Sequence, residues 1–141
     1  MDQSFKRFRA FRLDVLLILI TLVLEFILGM YTALYVTFPD SLVNGDAWQW
    51  SIAHSPILMA HVLLGVLMMV LSILALGFSI ATKSSAAIST SAVGLILMGI
   101  AFFSGAVFLS NIQQASYSFS MSLGFIGATI VYVAAYYLTR S

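Results

Sequence analysis

Four long apolar runs, parted by short polar breaks, dominate the chain. They cover residues 13–38, 56–82, 86–109 and 119–138, and Pro39-Asp40 closes the first. Each has roughly 20 to 27 residues, enough for a helix to cross a hydrocarbon core about 30 Å thick. The period-2 alternation of a membrane β-barrel is absent, and in lipid a single segment satisfies its own backbone only as a helix. The pattern predicts an all-α, integral membrane, up-down-up-down four-helix bundle, with residues 1–141 forming one membrane domain. Lys83-Ser84-Ser85 is so short that the second and third helices must be antiparallel neighbours. The connection over 39–55 is the longest, and Asn44-Gly45-Asp46 marks a turn in it. Ser55-Pro56 starts the second helix: a Ser N-cap, then Pro at the first helical position. A start near Trp48 would instead make Pro56 a kink.

Composition strengthens this reading. Hydrophobic residues make up 62% of the chain, charged residues 8%, and mean hydropathy is +1.08. A soluble domain needs about a quarter of its residues charged, so a soluble enzyme is excluded. A nucleic-acid partner is excluded too, because no basic stripe is present. The chain has no cysteine, hence no disulfide framework and no thiolate metal site. The six basic residues decide orientation. Lys6, Arg7, Arg9 and Arg12 precede the first run, Lys83 lies in the second connection, and Arg140 ends the chain. The connections over 39–55 and 110–118 carry none. The positive-inside rule then predicts a multi-pass cell-membrane protein with both termini cytoplasmic. Trp48 and Trp50 suit the outer interface, and Tyr136 and Tyr137 the inner one. The first run is too long for a signal peptide and no small-residue cleavage site follows, so it reads as a retained helix.

Membrane helices pack through small residues that let backbones approach. Ser120, Gly124 and Ala128 form one such stripe, Ala101 and Gly105 another, with Ser91 and Gly94 further along and Gly29 and Ala33 on the first helix. These stripes predict interior faces, or contacts with a second copy or with other membrane subunits.

Chemistry is concentrated in few residues. Glu25 sits about twelve residues from either end of the first run, near the bilayer midplane. A carboxyl there is costly and should face the interior. Counting 1.5 Å per residue places Met68, Ser72, Met98, Thr129 and Tyr132 at a similar level and no Lys, Arg or His. Glu25 is therefore expected to be a neutral acid, hydrogen-bonded by Tyr132, Thr129 or Ser72. It either handles protons or joins helices. His61 falls about 9 Å below the outer surface by the same counting. Imidazole in a bundle is a good haem b or metal ligand, although it can also simply hydrogen-bond inside the core. His54 lies at the interface, too far along to share one iron with His61. A haem would then rest on His61 alone or on His61 and a methionine, with Met30 best placed and Met121 next. Propionates would point to Trp48, Gln113 or His54. The seven methionines otherwise read as core filler. No phosphate loop, nucleophile elbow or His-Glu-x-x-His motif is present, and catalysis by this chain alone is not expected.

Some segments carry a resemblance. Glu25-Phe-Ile-Leu-Gly29-Met-Tyr, Pro39, Ala60-His61-Val-Leu-Leu-Gly65, Phe103-Ser-Gly105-Ala-Val-Phe108 and Ser120-Met121-Ser-Leu-Gly124-Phe125 follow one another as in small prokaryotic four-helix membrane proteins without an established activity. The chain also resembles four-helix b-type cytochromes and haem A synthase halves. Those use His from two different helices, whereas here the first, third and fourth runs have none. Three expectations follow. The first is a small redox-associated membrane bundle holding haem b, or contacting a quinone, in its outer half through His61. The second is a non-catalytic accessory subunit of a larger membrane complex. The third, a proton-coupled carrier using Glu25, is disfavoured by four helices without an internal repeat.

Overall fold

In the computed structural model, residues 3–42, 47–110 and 114–139 are described. Arg140, Gln113 and the Asn44-Gly45-Asp46 turn, all used above, lie outside them. Among the described residues all regular structure is helical. The elements are α1 (Gln3–Tyr35), a 3₁₀ turn (Asp40–Leu42), α2 (Ala47–His54), α3 (Pro56–Thr82), α4 (Ser85–Ser110) and α5 (Ala115–Leu138). Four stretches are long and apolar enough to cross a membrane: Phe5–Tyr35, Pro56–Thr82, Ser85–Ser110 and Ala115–Leu138.

The interior faces repeat at helical spacing. α1 buries Phe11, Asp14, Val15, Ile18, Thr21, Leu22 and Glu25, a stripe of three- and four-residue steps. α3 buries Met68, Ser72, Ala75 and Ser79, α4 buries Ala87, Ser91, Gly94 and Met98, and α5 buries Gly124, Ala128, Tyr132 and Ala135. Large apolar side chains such as Leu24, Leu63, Ile96 and Ile130 point outward, half exposed or more. A chain folded in water would turn such side chains inward.

The small residues set how close the helices come. A Cβ on Gly124 would stand 2.7 Å from the Leu97 carbonyl oxygen and 2.9 Å from the Ala101 nitrogen, so α4 and α5 touch backbone to backbone there. Gly94 makes room for Tyr132, whose ring would meet a Cβ at 2.6 Å. α1 packs mainly on α3, α3 on α4, α4 on α5, and α1 more lightly on α5. One end is tightly filled by Phe11, Val15, Ile18, Ala75, Ala87, Tyr132 and Ala135. The other end carries α2, which rests on α3 and α4.

Three boundaries differ from the sequence reading, one of them the start of α5 at Ala115 and not at 119. α1 starts ten residues before 13, because its basic segment simply continues the helix: Arg7 donates from Nη1 to the Ala81 carbonyl at 3.2 Å, and the Arg12 guanidinium lies 5.0 Å above the Tyr136 ring. α1 also stops at Tyr35 and not at 38, since Pro39 disfavours helical backbone at the residue before it. The connection over 39–55 contains a helix of its own. Ser55 separates α2 from α3, accepting from the Leu58 amide at 3.4 Å, so Pro56 starts α3 and does not kink a longer helix. Lys83 closes α3 in the left-handed region at φ 59° and hands directly to α4.

Candidate functional site

At the α2 end the four long helices part around a cavity of about 550 Å³, partly open. α1 contributes Glu25, Gly29 and Met30, α3 contributes His61 and Gly65, α4 contributes Phe102 and Gly105, and α5 contributes Met121 and Phe125. The glycines explain the space. A Cβ at Gly29 would come 3.3 Å from His61 Cε1, and one at Gly65 would come 3.4 Å from Glu25 Oε1. One at Gly105 would meet Met121 Sδ at 3.2 Å. Trp48 of α2 closes the far side, donating from Nε1 to Ser110 Oγ at 2.9 Å.

Two polar side chains meet inside this apolar wall. His61 Nδ1 lies 3.1 Å from Glu25 Oε1, with the two side chains 16% and 11% exposed. The approach is off the ideal hydrogen-bond direction, and Glu25 Oε2 has no partner among the described residues. The pair corrects the depth count, which placed no histidine level with Glu25. α1 ends at Tyr35, opposite the start of α3, and this slides Glu25 about one turn toward the α2 end. Gly29 then faces His61, and Glu25 lies between His61 and Gly65.

The arrangement has a chemical consequence. Histidine that ligates a metal usually directs its other ring nitrogen to a carboxylate, which fixes the ring and its tautomer. With Nδ1 turned to Glu25, Nε2 is the nitrogen left to act toward the cavity. It has no protein partner among the described residues and is not among the fully buried polar atoms.

The cavity gathers His61, Met30, Met121 and Glu25. His54 is not in its wall. It is the last residue of α2, its ring stacked on Trp50 at 5.6 Å and its Nδ1 3.1 Å from the Trp50 carbonyl. Tyr132 is not in the wall either: it is fully buried deeper in the bundle, with Ser72 and Asp14 as polar neighbours. Thr129 is satisfied by its own helix, donating to the Phe125 carbonyl at 2.9 Å. Met68 and Met98 line the cavity floor as well.

The sequence reading passed over Asp14. It is 5% exposed on the same face of α1 as Glu25, eleven residues away. Its place in the stripe with Phe11, Val15 and Ile18 was the available signal, hidden by the apolar count that began at 13. No group of three or more His, Cys, Asp or Glu suited to a metal ion occurs among the described residues. No protein-family model, curated protein or solved structure matches the chain.

Proposed function

We propose that this chain is a small multi-pass protein of the cell membrane, redox-associated, that holds haem b in the cavity at the α2 end. His61 Nε2 is the protein ligand in this reading, and Glu25 orients the ring from behind. The observation that carries it is the His61–Glu25 contact at 3.1 Å opening onto about 550 Å³ of apolar space. Cofactor sites of roughly 300–1,000 Å³ with a few placed polar groups are the general pattern. Met30 and Met121, both in the wall, are the candidates for a second ligand. A bound haem would supply one-electron transfer, and a methionine opposite His61 would raise its potential. A quinone head group is the other redox ligand the same pair would serve, through a hydrogen bond from His61. Membrane insertion is supported by the four apolar helices, and the up-down-up-down order by the facing pairs Gly94–Tyr132, Ala101–Gly124 and Gly29–His61. Cytoplasmic termini rest on Lys6, Arg7, Arg9, Arg12 and Lys83 at one end of the bundle. Lipid surrounds the outward apolar side chains, and the partners are other membrane subunits or further copies of the chain.

The test is an absorption spectrum of protein purified after expression with ample haem. A Soret band that His61→Ala abolishes and His54→Ala retains is expected. A colourless, folded protein carrying an extractable isoprenoid quinone would move the assignment to the quinone. A folded protein with neither would make the chain an accessory subunit.

A further inference from the structure

The cavity has a mouth, and the wall residues that are also exposed on the outside mark its position. On α1 these are Phe26, Met30 and Ala33, and on α5 they are Ser122 and Ile126. Phe26 is 56% exposed, Met30 46% and Ile126 55%. The wall residues contributed by α2, α3 and α4 are all buried or half-buried. The opening therefore lies on the flank of the bundle, between α1 and α5, the neighbouring long helices that pack most lightly. Toward the closed half this seam ends where Phe26 stacks on Phe125, ring centroids 6.3 Å apart. Toward α2, among the described residues, the way is filled by aromatic rings. Phe38 lies 5.2 Å from the Trp50 ring and 6.4 Å from the Phe108 ring, and Trp48 is tied to Ser110.

The rim suits hydrocarbon better than water. Ser122 donates its hydroxyl to the Ser118 carbonyl at 3.0 Å, and Thr32 donates to the Gly29 carbonyl at 2.9 Å. Both hydroxyls are thus satisfied within their own helices, and the mouth offers aromatic, thioether and aliphatic surface. Ala33 and Ser122, small and on opposite sides, leave the gap. An apolar void left empty forfeits the contacts of its lining atoms, and a methylene chain restores them without stranding a polar group. A molecule dissolved in the bilayer reaches His61 through the flank, whereas one arriving from water must pass the aromatic end. We infer, on the membrane placement proposed above, that the α1–α5 seam is a portal to the bilayer. A hydrocarbon chain of a membrane lipid enters the cavity through it, and the ligand of His61 is drawn from the lipid phase by the same route.

The test uses the full chain in phosphatidylcholine vesicles with a trace of a fatty acid that carries a terminal diazirine. After photolysis, the labelled residues are located by mass spectrometry. Adducts are expected on Glu25, Met68 and Met98, which line the cavity but are buried from the outside, as well as on the outward Leu63 and Ile96. Ser122→Trp and Ala33→Trp, which plug the mouth from opposite sides, should each lose the inner adducts and keep the outward ones. Leu123→Trp, exposed beside Ser122 but outside the wall, should keep both. If one plugging variant fails to fold, the other decides. Outward adducts without inner ones would overturn the portal and leave the membrane placement standing. Inner adducts that persist in both plugged variants would overturn the seam as the route. No adducts anywhere would overturn the membrane placement and the portal together. None of these readouts requires a bound haem or quinone, so a colourless protein leaves the portal open to the same test.

Discussion

Single residues govern how near the helices come and what they leave open. Gly124 has backbone atoms 2.7 and 2.9 Å from the place of a Cβ, and backbone cannot move aside as a side chain does. Gly124→Ala should therefore destabilise the bundle by about 1–3 kcal/mol, read from denaturation in mild detergent. Gly105 is the contrasting case, with only the flexible Met121 thioether 3.2 Å away. Gly105→Leu should fold and instead fill part of the cavity, so the Soret band of the proposed haem should be lost while the melting temperature of the haem-free chain stays unchanged. Glu25 and His61 depend on each other inside an apolar wall. Glu25→Ala, which removes the carboxylate 3.1 Å from His61 Nδ1, should cost about 1 kcal/mol, whereas Glu25→Gln keeps a polar group there and should cost less. The comparison of the two melting temperatures checks it.

At the scale of elements, α2 and the ends of α1 matter most. Ser55 is both the break after α2 and the cap of α3. Ser55→Ala should lower stability by about 0.5–2 kcal/mol, and should also loosen α2 over the cavity, since one residue holds both. The change is readable as a melting shift together with a shift in Trp48 and Trp50 emission. The basic end of α1 lies against the end of α3 through Arg7 and the Ala81 carbonyl. Orientation can be read directly because the chain has no cysteine of its own. Gln49→Cys in α2 should react with an impermeant maleimide added outside intact cells, and Ser85→Cys at the start of α4 should react only after lysis. The opposite pattern would reverse the proposed topology.

For the molecule as a whole, polarity is divided into two buried layers. One layer is the Glu25–His61 pair in the open half, and the other is Tyr132 with Ser72 and Asp14 in the closed half. Both acids lie on one buried face of α1, and Gly65 of α3 leaves room for Glu25. The closed half is packed by Ala75, Ala87, Ala128 and Ala135, all 0% exposed. The open half is held apart because Gly29, Gly65 and Gly105 face side chains and not backbone.

The sequence by itself determined the helical class, the four long apolar segments and most interior stripes, because each depends on local period and on composition. The stripe residues Gly94, Ala101, Gly124 and Ala128 could be read without coordinates for that reason. His61 and Glu25 could be singled out too, as polar groups costly in an apolar run. Their meeting could not. It depends on the register between α1 and α3, and a difference of one turn at Tyr35 moved Glu25 onto His61. Only the tertiary structure placed Tyr132 with Ser72 and Asp14, kept His54 out of the cavity wall and made a helix of 47–54. Periodicity fixes which face of a helix turns inward, but packing between helices sets the level at which two faces meet.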